Sequence, residues 1–264
     1  MRHVARRRFG QHFLTDRAVI GRIVAAIDPR PADNMIEIGP GLGALTEPLL
    51  ARVQRLHAIE IDRELARALR ERHPAERLVV HEGDALGFDF SALPAPLRVV
   101  GNLPYNISTP LLFQLAQFSD RLQDLHVMLQ REVVERMVAA PSRREYGRLS
   151  VALQYRFRMR RLFGVPAGAF RPVPKVESAL VSMEPIARPE RGARDEDLLA
   201  RVVAQAFSHR RKTLKNALAG LAGAGELAAA GIDGGLRAEN LAVADFVAIA
   251  NCLAGADAVF RKIG

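Results

Sequence analysis

Between residues 16 and 185 the chain alternates two hydrophobic periods, and this alternation restricts its possible folds more than any other feature. In "DRAVIGRIVAAID", Val19, Ile20, Ile23, Val24 and Ile27 recur at helical spacing and form one apolar face. Short apolar runs follow at 35–39 (MIEIG), 56–62 (LHAIEID), 77–80 (RLVV), 97–101 (LRVVG) and 125–130 (LHVMLQ). Helical stretches separate them. Asp62 is placed to cap "RELARALRERH", and Thr109-Pro110 to open "LLFQLAQF" with a cap and a first-turn proline. Strands separated by helices predict an α/β fold with a doubly wound, mostly parallel sheet. The segments "FRMRRLFGV" and "KVESALVSMEP" alternate more strictly and are expected to form an antiparallel pair at its edge.

Pro, Gly and charge dominate "PIARPERGARDED" (185–197), which reads as a linker. Beyond it only helical patterns occur, in "LLARVVAQAFSHRRKTLKNALAGL" and "ADFVAIANCLAGA". The expected organisation is therefore an α/β domain over 1–187 and a small all-α domain over 195–264. No apolar stretch is long enough and free enough of charge to span a bilayer. The basic start, "MRHVARRRFGQHF", lacks the apolar region of a signal peptide, and an organelle transit peptide is the less favoured reading. Cys252 is the only cysteine, so no intrachain disulfide forms and a reducing cytoplasm fits best. Cys/His clusters are absent from the sequence, so no metal site is expected. A monomer is the expected state.

The chain carries 38 Lys and Arg against 29 Asp and Glu, a net charge of +9 that points to a polyanionic partner. Arginine far outnumbers lysine, a skew that a GC-rich genome also produces, so clustering is the better evidence. Arg6, Arg7 and Arg8 form one cluster, and Arg143-Arg144, Arg156 to Arg161 and Arg210-Arg211-Lys212 form others. Guanidinium groups suit phosphate through bidentate geometry.

Function concentrates at strand ends. "EIGPGLGALT" (37–46) follows the first strand, and Gly39, Gly41 and Gly43 permit a tight turn with close ligand approach. With Ala44 the loop even satisfies the dinucleotide fingerprint, which leaves NAD and other adenosine cofactors open. Glu60 ends the next strand, where an acid can accept from ribose hydroxyls. Asp84, in "HEGDAL", ends the third and can accept from an exocyclic base amine, although a lone Asp after a strand also serves as a cap. The fourth strand then delivers "GNLPY" (101–105) to the same crevice. Turn chemistry explains its Gly, Asn and Pro, but not an amide and an aromatic ring together at a strand end.

The combination "EIGPGLGALT … EID … GDAL … GNLPYNIS" resembles class I S-adenosylmethionine (SAM) methyltransferases that modify adenine N6. "RRRFGQHFL", "YGRLSV", "FRPVPKVESAL" and "AFSHRRKTLKNAL" are similar to one branch, the ribosomal RNA small-subunit adenine dimethyltransferases, over about residues 6 to 218. The resemblance implies a Rossmann-like sheet of seven strands, the last antiparallel, with a helical C-terminal domain. It implies SAM as cofactor and small-subunit rRNA, in the immature 30S particle, as partner. Two adjacent adenosines near the RNA 3′ end would each receive two methyls. Gly39 and Gly41 would line the methionine part of SAM, Glu60 would hold the ribose and Asp84 the adenine amine. Asn102 would sit between cofactor and target, while His12 and Leu14 close the site from the N-terminal arm. The family often has Asn where this chain has His12, which makes the contact pH-sensitive if the side chain takes part. Phe170 is implicated as a second wall for the target base, against an ordinary core role.

Methylating adenine N6 explains the motif chemically. The amine lone pair is delocalised into the ring, so the nitrogen is a poor nucleophile. The Asn102 side-chain oxygen and the Leu103 carbonyl can accept its two N–H groups and localise the pair. Pro104 biases Leu103 toward extended backbone, which aims that carbonyl. Tyr105 offers a face to the flipped-out base, worth about 1–3 kcal/mol. An NAD dehydrogenase leaves this motif without purpose. DNA adenine methyltransferases and large-subunit rRNA methyltransferases share the first domain's chemistry, but the basic arm and "SHRRKTLKNAL" favour the small-subunit branch. An RNA-binding assembly factor with methylation as a secondary role is the alternative of a different class.

Overall fold

The structure, a computed structural model, describes residues 11–209 and 211–260. Two compact units emerge. The first takes the chain up to Val134 together with Phe157–Pro185, and the second takes Glu135–Arg156 and the residues from Ile186 onward.

The first unit is built on β1 (Phe13–Leu14), β2 (Asn34–Ile38), β3 (Leu56–Glu60), β4 (Leu78–Glu82), β5 (Leu97–Asn102), β6 (Leu122–Gln130), β7 (Phe157–Val165), β8 (Phe170–Arg171) and β9 (Ser178–Pro185). Seven of these form one sheet in the order β4-β3-β2-β5-β6-β9-β7. β2 to β6 run parallel, and β9 inserts between β6 and β7 antiparallel to both. The last strand of the seven is thus the reversed one. β1 and β8 pair separately, placing Leu14 opposite Phe170. The central strands carry near-continuous apolar runs because both sheet faces are covered; Met35, Ile36, Val99 and Val100 are fully buried.

α1 (Arg17–Ile27) forms where the spacing predicts. The Asp16 carboxylate accepts the Ala18 and Val19 N–H groups at its start, and Asp28 closes it in the left-handed region. Its apolar face packs on the sheet, with Ile23 and Ile27 each 1% exposed. Burying such a side chain stabilises the fold by about 1.5–3 kcal/mol, and Ile23→Ala costs about 2–5 kcal/mol with the cavity included. α2 (Thr46–Leu50) follows the glycine loop, and α3 (Arg63–Arg72) is capped by Asp62, which accepts from Glu64 N at 3.0 Å. α4 (Ser108–Gln117) departs from expectation, since Thr109 lies inside it and Ile107 holds the cap position without a side-chain bond. Ser108 Oγ instead donates back to the Tyr105 carbonyl at 3.1 Å, so the preceding turn sets the start.

α5 (Arg131–Met137), entered from β6, carries the chain across the division at Val134, and the helical unit continues with α6 (Arg148–Gln154), α7 (Arg188–Arg191), α8 (Glu196–Ala206), α9 (Leu214–Ala217), α10 (Ala224–Ala229) and α11 (Val243–Phe260). It begins earlier than the expected boundary at 187–195. Residues 135–156 belong to it because Tyr146, Val151 and Tyr155 share a core with Leu198, Val202 and Phe246. Tyr146 Oη also donates to the Leu241 carbonyl at 2.9 Å. Nor is 185–197 a bare linker. It contains α7, whose buried Arg191 donates to the Ile186 carbonyl at 2.9 Å. Among the described residues no helix is long and apolar enough to cross a membrane.

Candidate active site

The strand order reverses between β2 and β5, because β3 and β4 continue on one side of the sheet and β6 on the other. Such a switch point leaves a crevice beyond the carboxyl ends of the strands. Two glycines make it possible here. A Cβ at Gly101 would lie 2.3 Å from the Ile38 carbonyl oxygen, so the two strands approach this closely only with glycine in "GNLPY". Gly41 has φ +57°, and a Cβ there would press to 3.0 Å from the Phe13 ring, under which the loop passes.

The crevice is a cleft whose open space, including its mouth, is about 930 Å³, which suits a nucleoside-sized ligand. His12, Leu14, Gly39, Gly41, Glu60, Asp84, Asn102, Leu103, Pro104 and Tyr105 all line it. Glu60 is 4% exposed and accepts from Gly41 N at 3.0 Å and from Asp62 N at 2.9 Å. Burial raises its pKa, opposed by those backbone hydrogen bonds. Asp84 lines the cleft, and its Oδ1 caps the Leu86 N–H at 2.9 Å. Tyr105 Oη shares a 2.6 Å hydrogen bond with Ser178 Oγ, and burial raises its pKa.

Asn102 Nδ2 donates to the His12 carbonyl at 3.0 Å. A carbonyl can only accept, so the amide orientation is fixed and Oδ1 is the end left over. Among the described residues nothing donates to Asn102 Oδ1 or to the Leu103 carbonyl. Two unclaimed acceptors therefore belong to adjacent residues that line the cleft.

Phe170 requires a correction. It is 0% exposed, packs in the core with Leu14, Val165 and Leu180, and is not among the residues lining the cleft. Its pairing with Leu14 turns the ring inward, so it forms no wall for a base in this conformation.

Glu37, absent from the residues expected at the site, lines the cleft at 2% exposure. It accepts from Thr46 Oγ1 at 2.6 Å, and burial pushes its carboxyl up to about 7. The sequence does carry a signal for it: an acid in the middle of the buried run "MIEIG" needs a reason.

Of the basic residues, Arg6, Arg7, Arg8 and Arg210 lie outside the described residues. Arg211 and Lys212 are exposed. Arg211 joins Arg143, Arg144 and Arg237, with Ser142 and Glu239, around an open cavity of the helical unit. Arg156 is engaged instead, 2.7 Å from Glu196.

The family of ribosomal RNA adenine dimethylases matches residues 2–255. The chain belongs to it. Ribosomal RNA small subunit methyltransferase A of Aromatoleum aromaticum is 60% identical over 252 residues, 96% of this chain and 95% of that one. A dimethyladenosine transferase from Plasmodium falciparum superposes with a TM-score of 0.78 at 25% identity, covering 90% of this chain and 96% of that one. The 23S rRNA methyltransferase ErmE follows with a TM-score of 0.72, also at 25% identity, covering 92% and 99%. This rRNA adenine dimethylase is a methyltransferase dependent on SAM. Its cleft fits that cofactor: a positive-φ glycine cradle lies beside Glu37, Glu60 and Asp84, whose carboxylates suit an ammonium, ribose hydroxyls and a base amine.

Proposed function

We propose that this dimethylase methylates N6 of two adjacent adenosines near the 3′ end of small-subunit rRNA. It acts on the immature 30S particle, as a monomer in the cytoplasm. The observation that carries the reading is the pair of unclaimed acceptors, Asn102 Oδ1 and the Leu103 carbonyl, beside a cofactor cleft. The 60% identity to a small-subunit enzyme favours that substrate over the large subunit.

When bound, SAM supplies a methyl carbon that its sulfonium makes electrophilic, open to in-line displacement by the amine, with the C–S electron pair staying on sulfur. The protein's part is to hold the amine. Asn102 and Leu103 take its two N–H groups and localise the lone pair, Pro104 stiffens the turn, and Tyr105 supports the base. The surplus proton leaves the methylated nitrogen for solvent, so positioning does most of the catalysis. The Arg143, Arg144, Arg211 and Arg237 cavity offers a phosphate grip separate from this chemistry.

The test is mass spectrometry of rRNA after incubating immature small subunits with protein and SAM. Two neighbouring adenosines should each gain two methyls, and Asn102→Ala should nearly abolish the signal. Methyls elsewhere, or undiminished turnover by the variant, would overturn the reading. Complementing a deletion strain with Asn102→Ala separates the assembly-factor alternative: restored ribosome assembly without methylation would favour it.

A further inference from the structure

Three contacts converge on His12, and together they give it a task beyond lining the cleft. Its Nδ1 lies 2.8 Å from the Pro172 carbonyl. That oxygen can only accept, so Nδ1 carries the proton and donates. Its ring stacks on Tyr105 with centroids 5.7 Å apart and planes 28° apart. Its own carbonyl accepts Asn102 Nδ2 at 3.0 Å.

The two ends of an asparagine amide are nearly the same size, so only hydrogen bonding decides which end faces a ligand. A rotated Asn102 would turn an NH2 group toward the NH2 of the target adenine, donor against donor. We propose that His12 is a positioning residue for the methyl acceptor. Anchored to Pro172 and resting on Tyr105, it keeps its carbonyl against Asn102 Nδ2 and thereby holds Oδ1 toward the amine. The inference rests on the proposed role of Asn102 and adds the residue that orients it. The donor is the essential part of the anchor. An asparagine at position 12 carries Nδ2 at a similar reach and can make the same bond to Pro172, whereas phenylalanine keeps the ring and loses the donor.

The first measurement needs no RNA and no turnover. Hydrogen exchange of the Asn102 side-chain amide is followed by NMR in the full-length, cofactor-free protein, with the signal assigned by its loss in Asn102→Asp. His12→Ala and His12→Phe should speed exchange by about tenfold, the loss of one anchoring hydrogen bond and its neighbours. His12→Asn should restore protection. Equal exchange in wild type and His12→Ala would overturn the proposal.

The second measurement is single-turnover methyl transfer at saturating SAM and RNA. His12→Ala and His12→Phe should slow the rate constant about tenfold, and His12→Asn should recover most of it. A raised KM for SAM at an unchanged rate would assign His12 to the cofactor and sink the proposal. If the wild type methylates no rRNA, the functional reading fails, while the exchange result still decides the role of His12.

Discussion

Glu60 Oε2 accepts the Gly41 N–H at 3.0 Å, so the acid ending β3 and the loop following β2 are joined without any ligand. Glu60 therefore braces the loop, and in the proposed reading it also offers lone pairs to a ribose. Glu60→Ala should weaken S-adenosylhomocysteine binding by about 1.5–3 kcal/mol, the range of a hydrogen bond to a charged group. RNA affinity measured without cofactor should barely change. Calorimetry showing unaltered cofactor affinity would remove Glu60 from the site.

Glu37 makes the cleft sensitive to pH near neutrality. Its carboxyl is raised from an ordinary 4.5 to about 7 by burial. The folded state therefore binds this proton more tightly than the unfolded chain. The resulting stability is complete below about 4.5 and is lost as pH rises through 7, on the order of 3 kcal/mol in all. Glu37→Gln should flatten that part of the stability profile. A cationic ligand lowers the carboxyl's pKa, so SAM binding at pH 7 should release more protons in wild type than in the variant. Titrations in two buffers of different ionisation enthalpy read this directly, and identical heats would contradict it.

Arg98 sits at the opposite end of β5 from the cleft and secures the amino ends of the sheet. Its side chain is 7% exposed, 2.5 Å from Asp33 and 2.8 Å from Asp124, and it also donates to the Ile27 carbonyl at 2.6 Å. Arg98→Met would leave two enclosed carboxylates unbalanced, at a cost of about 3–5 kcal/mol. Adding Asp33→Asn and Asp124→Asn should recover much of this loss in denaturant titrations. A single variant as stable as wild type would show the pairs to be worth little.

The arginine cavity predicts a salt effect. Arg143, Arg211 and Arg237 are exposed, so replacing all three with Ala should leave the melting temperature unchanged. For every phosphate that the variant no longer neutralises, the slope of log RNA affinity against log salt should fall by roughly 0.7–0.9. Cofactor affinity should stay constant. An unaltered slope would mark the cavity as ordinary solvated surface.

The sequence made the central sheet legible because strands covered on both faces leave apolar runs that need no partner to be recognised. The cleft residues were legible for a related reason, since Gly39, Glu60, Asp84 and Asn102 all fall at the carboxyl ends of such runs. What stayed hidden depends on partners distant in the chain. Phe170 turns inward because Leu14 lies across from it, and residues 135–156 join the helices through Tyr146 and Leu241. The Arg211 cluster gains Arg237, which no local run announces. His12 was legible as a residue that closes the cleft, but its bond to Asn102 was not, because the two lie 90 positions apart in the chain.

The pairing of β1 with β8 has a consequence for biosynthesis. Residues 11–14, at the front of the cleft, leave the ribosome well before their strand partners, for Phe13 pairs with Arg171 and Thr15 N donates to the Ala169 carbonyl. The chain must also make its excursion through 135–156 before that partner is translated. Contacts of such long sequence separation form late, after the loop-closure entropy has been overcome. A nascent chain halted before residue 169 can possess the glycine loop, Glu60 and Asn102 and still lack the strap that closes over them.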